Sequence, residues 1–280
     1  MKVKTKRKID KLLRIIIKTT KKLISYRVTG YVLLAAVALI VFMIIMSVSS
    51  CNKQTEKASE TIETTEASAT IPDSYKISGV PVIPQDILKA GCETYACTML
   101  LQYWGFDINE IEFVDNYLIT RPVYYGYGGE LYGPDMNSAY AGDIYTGYGI
   151  NAPAMAKCMN NYLKTTKSEL KAYPLSEVPL EKLCKDYILD NKPVMCWETT
   201  NMDEPYIKAS WIVDYVDENA KFEIGDTVSW MQNEHCMVLV GYDKDNYYFC
   251  DSVAGKLASY DKKIAEERYS QIGMQAIVIK

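Results

Sequence analysis

The chain has 280 residues, of which 49% are hydrophobic and 24% are charged, and its formal net charge is −4 at neutral pH. This composition is sufficient to bury a core, which excludes a fully disordered or collagen-like chain. The chain contains a single histidine, His235, and this excludes every zinc site that needs two or three imidazole ligands.

The charge is distributed unevenly along the chain. Residues 1–30 contain eleven Lys or Arg residues and one acidic residue, Asp10, which gives this segment a net charge of +10. The remainder of the chain therefore carries a net charge of −14. An acidic main domain argues against nucleic acid as its partner.

A long apolar run follows the basic segment. From Tyr31 to Val48, eighteen residues carry no charge, which is about the length that crosses a hydrocarbon core of roughly 30 Å. The basic residues precede this run, so the positive-inside rule predicts a cytoplasmic N-terminus and an exported remainder. We therefore predict a basic cytoplasmic segment over residues 1–30 and a transmembrane helix over residues 31–50.

The basic segment has apolar residues near helical spacing among its lysines, at Ile9, Leu12, Leu13, Ile16, Ile17, Leu23 and Ile24. This pattern is typical of a basic amphipathic helix that lies on anionic lipid. The alternative is a simple retention signal whose helical pattern has no further role.

The end of the apolar run has two interpretations. The residues Val48-Ser49-Ser50-Cys51 resemble a bacterial lipoprotein cleavage box, in which Cys51 would be lipidated and everything before it removed. The basic region is about thirty residues long, however, which exceeds the usual length in a signal peptide. A retained anchor is therefore favoured, and either interpretation tethers the domain outside the cytoplasm at the cell membrane.

Residues 51–75 are rich in Thr, Glu, Ser and Ala, a composition typical of a flexible linker. Residues 76–280 have the length of one domain. Within it, residues 91–105 are apolar around most of a helical circumference and end at Gly105, which predicts a buried central helix. Residues 121–149 are full of Tyr and Gly, and we expect an irregular binding loop there.

Two more helices are predicted, one from Asn151 to about Leu163 and one over residues 180–190. After Pro193 the pattern changes to short apolar and β-branched runs separated by turn residues, which predicts strands at residues 194–199, 236–242, 247–251 and 275–279. Helices first and strands later indicate an α+β domain with helices packed on an antiparallel sheet.

Cys92 is the candidate nucleophile because it follows a glycine and begins the predicted central helix. A thiol there lies at the positive end of the helix dipole, and this position predicts a lowered pKa and a reactive thiolate. The unpaired amides of the first turn can also stabilise an oxyanion, and Gln85 lies seven residues earlier, where its side-chain amide can contribute to the same hole.

His235 begins an apolar strand 143 residues after Cys92, a separation that lies in the range seen in papain-type enzymes. Asp251 ends the next strand, where its carboxylate can orient the imidazole and stabilise its charged form. If the two strands form a hairpin, both side chains must point to the same face. This requires an odd-length loop near Asp243 or a β-bulge.

The other cysteines have a simpler interpretation. Cysteines are often inert, buried small hydrophobes, and we predict this for Cys97, Cys158, Cys184, Cys196, Cys236 and Cys250. Disulfide pairing outside the cytoplasm stays open. Glu93 is interpreted as a first-turn carboxylate that is favourable to the helix dipole.

The residues from Val80 to Gln85 and from Ala90 to Gly105, together with the segment Glu234-His-Cys-Met-Val-Leu-Val-Gly-Tyr242, resemble the bacteriocin-processing, double-glycine-type peptidase-like proteins. The likeness extends over about 200 residues, and the C-terminal tail is similar to that of stand-alone, cell-surface members. It implies a papain-like cysteine peptidase fold.

The resemblance also implies roles for four residues: Cys92 as nucleophile, His235 as general base and acid, Asp251 as the residue that orients His235, and Gln85 in the oxyanion hole. Where the family often has Asp-Pro, this chain has Asp251-Ser252. Transporter-linked members cut leader peptides on the cytosolic side. Because this domain is expected outside the cytoplasm, leader peptides are not implied as its substrate.

The first functional hypothesis is a membrane-anchored, extracytoplasmic cysteine peptidase that hydrolyses peptide bonds through a Cys-His-Asp triad and a thioester. Its partner is a peptide or protein substrate, and no metal and no organic cofactor is expected. The segment from Tyr124 to Tyr148, with Trp230, would border the cleft. The alternatives are an inactive peptidase-like binding or adhesion module and a cell-wall amidase or transpeptidase.

Overall fold

The computed structural model describes residues 71–280. The predicted basic segment, the transmembrane run from Tyr31 to Val48, Cys51 and nearly all of the predicted linker lie outside the described residues. Within residues 71–280, none of the helices combines the length and apolarity that a bilayer crossing demands.

The helices are α1 (Cys92–Tyr103), α2 (Glu110–Asn116), α3 (Ala152–Thr165), α4 (Leu180–Asp186) and α5 (Lys262–Gln271), with 3₁₀ turns at Ile188–Asp190 and Thr200–Met202. The strands are β1 (Tyr75–Lys76), β2 (Thr120–Arg121), β3 (Tyr124–Tyr125), β4 (Leu131–Pro134), β5 (Tyr140–Ala141), β6 (Ala172–Ser176), β7 (Val194–Thr199), β8 (Tyr206–Tyr215), β9 (Thr227–Gln232), β10 (Glu234–Tyr242), β11 (Asn246–Asp251), β12 (Lys256–Asp261) and β13 (Gln275–Ile279).

The main sheet has seven strands in the order β12-β11-β10-β7-β13-β6, and β1 pairs separately with β10. All of these pairings are antiparallel. Tyr75, at the end of the predicted linker, pairs with Tyr242 and so already belongs to this sheet. The α+β class and the antiparallel sheet are therefore confirmed.

Helix α1 is buried along most of its length, from Glu93 to Leu101, as its nearly uniform apolarity predicts. It packs against β10 and β7, and its residues form one core with the central strands. The helix ends before Gly105, whose φ of +84° is a left-handed conformation that favours glycine.

The region from Arg121 to Gly149 is not uniformly irregular, which corrects the predicted loop. It contributes β2 and β5, which pair in parallel, and β3 and β4. Strands β3 and β4 join the long strands β8 and β9 in a second, four-stranded sheet, which the sequence analysis did not predict. Most of β8 and β9 is exposed or half-buried, so the apolar runs that reveal a fully buried strand are missing.

The other predicted elements occur with adjusted ends. Helix α3 and the four predicted strands are present, whereas the helix expected over residues 180–190 divides at Tyr187 into α4 and a 3₁₀ turn. Helices α2 and α5 were not predicted. The six cysteines interpreted as core residues are all buried, and the seven cysteines of residues 71–280 are free thiols.

Candidate active site

Three of the four predicted site residues line one cleft. A cavity of about 300 Å³ is bordered by Cys92 at the start of α1, by His235 at the start of β10 and by Gln85 in the loop before α1. Asp251, the fourth, is buried behind His235. Residues that are far apart in the sequence therefore meet where α1 packs on β10.

The start of α1 is fixed by contacts of the preceding turn. The hydroxyl of Tyr140 donates a hydrogen bond to the carbonyl of Ala90 at 2.6 Å, and the Ala90 N–H donates to the carbonyl of Ile144 at 3.1 Å. A Cβ atom at Gly91 would lie 2.8 Å from Cβ of Leu88, so the turn requires glycine here. Tyr140 was not predicted as a site residue, because nothing in its local sequence shows this contact.

A β-bulge gives His235 and Asp251 a common face, as the sequence analysis required. Near the end of β10, Leu239 pairs with Phe249, whereas Gly241 pairs with Tyr248, so the register shifts by one residue between them. Without this bulge the alternation of side chains would direct the two groups to opposite faces. With it, Nε2 of His235 lies 2.8 Å from Oδ1 of Asp251.

Asp251 is held as a carboxylate by its donors. Burial alone would raise its pKa, but hydrogen bonds from His235, from the Ala254 N–H and from the Tyr260 hydroxyl outweigh burial and lower the pKa to about 2. Its contribution to stability is therefore present above the ordinary carboxyl pKa of about 3.9 and is lost as the pH falls through about 2.

This carboxylate also fixes the tautomer of the imidazole. An ionised carboxylate only accepts hydrogen bonds, so Nε2 of His235 must donate the proton of the 2.8 Å contact. In the neutral ring Nδ1 is then an unprotonated base. This is the nitrogen that a general base needs, and the ring that carries it borders the same cleft as the thiol.

The thiol of Cys92 does not have the lowered pKa that the helix dipole predicts. Removal of solvent around the thiol is the largest effect, and the carboxyl groups of Glu93 and Glu234 add to it, so the pKa of Cys92 is raised well above the ordinary thiol value. Sγ donates to Oε2 of Glu93 at 3.3 Å. The prediction of a resting thiolate was wrong because it considered the dipole without these two acids.

Glu93 and Glu234 form a carboxyl pair beside the thiol of Cys92. Their carboxylate oxygens and Sγ of Cys92 lie within 4.8 Å of one another, a spacing at which the three side chains could hold a metal ion. Burial raises the pKa of both acids, and the charge of Glu93 raises that of Glu234 further. Glu93 was interpreted only as a first-turn carboxylate that is favourable to the helix dipole, and Glu234 was not identified as a site residue.

Gly149 permits this close approach. A Cβ atom there would lie 2.7 Å from Oε1 of Glu93 and 3.1 Å from Oε2 of Glu234, and its φ of +139° also disfavours any other residue. The next residue, Ile150, donates its N–H to Oε1 of Glu93 at 2.9 Å. The loop before α3 therefore positions the pair.

Gln85 borders the cleft, but its amide is engaged elsewhere. Nε2 donates to the carbonyls of Leu88 and Lys89, each at 3.0 Å. Oε1 accepts from the hydroxyl of Ser252 at 3.1 Å, and the Gln85 N–H donates to the Ser252 carbonyl at 2.8 Å. The serine that replaces the proline of the resemblance thus contacts Gln85 directly, and the amide hydrogens bind backbone rather than the cleft.

The aromatic border of the cleft is smaller than predicted. Tyr148 and Trp230 line it, with ring centroids 5.3 Å apart in an edge-to-face arrangement. The residues from Tyr124 to Gly128 instead line a separate cavity of about 790 Å³ at the β3–β4 hairpin, together with Tyr132. That cavity is larger, but it contains none of the candidate catalytic residues.

We expect Glu93→Gln to lower the pKa of Cys92, because the substitution removes a negative charge that lies 3.3 Å from Sγ. The midpoint of iodoacetamide alkylation at Cys92, followed against pH by peptide mass spectrometry, should shift to lower pH. A shift of about one pKa unit would give about tenfold faster alkylation near pH 7.

Glu112→Gln, which changes an exposed first-turn acid of α2, is the matched control and should leave the midpoint unchanged. An unchanged midpoint in Glu93→Gln would show that the carboxyl group does not control the thiol.

The chain has relatives among known proteins. The model of the Peptidase_C39 like family matches residues 77–277. Over 197 residues the chain is 26% identical to the uncharacterized protein YvpB of Bacillus subtilis (strain 168), covering 69% of this chain and 70% of YvpB. The crystal structure of a C39-like peptidase from Bacillus anthracis superposes with a TM-score of 0.61 at 25% identity, covering 75% of this chain and 98% of that one. Because the family match spans most of its length, the chain belongs to the Peptidase_C39 like family.

Proposed function

We propose that the protein is a cysteine peptidase that uses Cys92, His235 and Asp251 as a catalytic triad. One observation carries this proposal. The only histidine of the chain is held at 2.8 Å by a buried carboxylate, in the tautomer that leaves Nδ1 as a base, and its ring shares a cleft with the thiol of Cys92. Family membership supports the same reaction class.

In the proposed reaction, Cys92 transfers its proton to Nδ1 of His235 and its sulfur attacks the carbonyl carbon of the scissile peptide bond. The imidazolium is stabilised by the carboxylate of Asp251 and then protonates the leaving amine, so that the C–N bond breaks and a thioester remains. A water molecule that gives its proton to His235 hydrolyses the thioester and releases the acid and the free thiol.

The raised pKa of Cys92 is compatible with this sequence of steps. The thiol is protonated at rest and donates to Glu93, so ionisation takes place together with the attack rather than before it. The backbone N–H groups at the start of α1 have no intrahelical acceptor and can stabilise the oxyanion. Gln85 reaches the oxyanion in this scheme only if its amide leaves the carbonyls of Leu88 and Lys89.

A peptide-library digest tests the proposal. The full-length chain should cleave a subset of the library, and Cys92→Ala should abolish every cleavage because it removes the nucleophile. Cys184→Ala, which changes a buried thiol of α4 that does not line the cleft, is the matched control and should retain cleavage. Equal product patterns from wild-type and Cys92→Ala would rule out the triad.

The role of Asp251 is tested separately. Asp251→Asn removes the charge that stabilises the imidazolium, and we expect kcat to fall by about 10²–10⁴-fold. Tyr260→Phe removes one donor to the same carboxylate, Tyr260 Oη to Oδ2 at 2.7 Å, but keeps the charge, and it should reduce kcat by less than about tenfold. Circular dichroism should show that Asp251→Asn and Tyr260→Phe are both folded. A kcat of Asp251→Asn similar to that of wild-type would then exclude the orienting role.

A second candidate function is a peptidase-like binding module. Two observations favour it: the amide of Gln85 is bound to backbone carbonyls, and the thiol of Cys92 donates to Glu93. Such a module would bind peptides with equal affinity before and after Cys92→Ala and would cleave none. Release of stem peptides when the protein is incubated with purified peptidoglycan would instead identify a cell-wall amidase.

We also propose that the peptidase domain is tethered to the outer face of the cell membrane. The support is the uncharged run from Tyr31 to Val48 and the net charge of +10 before it. Protease added to intact cells should degrade residues 71–280 and leave the basic N-terminal segment protected. Protection of both parts would contradict the proposed topology, and loss of residues 1–50 from the mature chain would indicate lipidation at Cys51.

A further inference from the structure

The carboxyl pair beside the nucleophile lies in the cleft where a substrate would bind. Glu93 and Glu234 both line this cleft with Cys92, and the three donor groups lie within 4.8 Å of one another. Glu93 has partners for both oxygens, the Ile150 N–H and the Cys92 thiol. Oε1 of Glu234, in contrast, is buried without a hydrogen-bond partner among the described residues, although the indole N–H of Trp230, which also has no partner, is close enough to lower the pKa of this carboxyl group.

The other charged groups of the cleft do not balance this pair. Asp203 adds a further acid, Lys89 is the basic residue of the lining, and both are exposed. The imidazole of His235 is already bound to Asp251. Within residues 71–280, two buried carboxyl groups therefore lie beside the thiol without a positively charged partner, and a cationic group that binds next to them would favour their ionised form.

The aromatic side chains of the cleft also favour a cationic ligand. Tyr148 and Trp230 are half-buried and line the cleft with Glu234, and the faces of aromatic rings attract cations electrostatically. A buried carboxyl group without a partner is unfavourable, and a positively charged ligand group would supply both a donor and a counter-charge. Apolar or anionic groups would supply neither.

We propose that the cleft selects peptides with a positively charged group, a Lys or Arg side chain or a free amino group, beside the scissile bond, and that Glu234 is the specificity-determining residue. This inference rests on the proposed peptidase function. Glu234 is the selective member of the pair because Glu93 is held by the backbone of Ile150, whereas the Glu234 oxygen is available for the substrate.

Charged thiol reagents test the inference without any need for turnover. Cationic, anionic and neutral methanethiosulfonates each transfer their thioalkyl group to the sulfur of Cys92 and release methanesulfinate. In the full-length chain with EDTA present, the cationic reagent should modify Cys92 at least tenfold faster than the anionic one. The neutral reagent corrects for differences in thiol pKa between variants.

Glu234→Gln should reduce this cation-to-anion rate ratio severalfold, because it removes the charge while keeping the shape. Glu169→Gln, which changes an exposed acid outside the cleft, is the matched control and should keep the wild-type ratio. A ratio near one in wild-type, or a ratio that Glu234→Gln leaves unchanged, would overturn the inference.

The peptide library supplies the second measurement. Cys92-dependent cleavage should favour Lys or Arg over citrulline and norleucine at one position by at least tenfold, and Glu234→Gln should remove that preference. Cleavage with no preference for a cationic residue would overturn the inference and leave the peptidase proposal intact. If Cys92-dependent cleavage is absent, the peptidase proposal fails, and the reagent ratio alone decides whether the cleft selects cations.

Discussion

The hydrogen bond between His235 and Asp251 is the interaction on which the site depends. Both side chains are almost completely buried, at 1% and 2% exposure, and removal of one member of such a pair typically costs about 3–5 kcal/mol. The bond can form because β10 contains one more residue than β11 between the pairs Leu239–Phe249 and Gly241–Tyr248, and this bulge gives both groups the same face of the sheet. A backbone irregularity in β10 therefore determines which nitrogen of the imidazole is available for chemistry.

The ionisation of the Cys92 thiol depends on a competition between two local effects. The start of a helix favours a thiolate, whereas the carboxyl groups of Glu93 and Glu234 and the loss of solvent favour the thiol, and these latter effects prevail. Glu93 is carried by α1 and Glu234 by β10, and the absence of a side chain at Gly149 leaves space for both carboxyl groups. A side chain at Gly149 would therefore displace the two carboxyl groups that raise the pKa of Cys92.

Much of the fold and half of the site chemistry were predictable from sequence. Helix α1 and the central strands are buried, and buried elements have apolar residues on nearly all sides. This pattern is visible in the sequence. Cys92 and His235 were identifiable because each begins such an element, and Asp251 because it ends one. Strands β8 and β9 could not be predicted because their exposed faces carry no strong pattern. The pairing of Glu93 with Glu234 and the contacts of Gln85 depend on chain segments far apart in sequence, so no local signal reveals them.

The free cysteines of the domain have consequences for its stability and for its oxidation. The seven cysteines of residues 71–280 are unlinked, and Cys92 is the member of this group that is not buried. Stability of this part of the chain then comes from packing and hydrogen bonding, without covalent cross-links that would restrict the unfolded chain. An oxidant would therefore reach Cys92 before the core sulfurs, and because thiolates oxidise faster than thiols, the partial burial and the two neighbouring acids that raise the pKa of Cys92 would slow its oxidation.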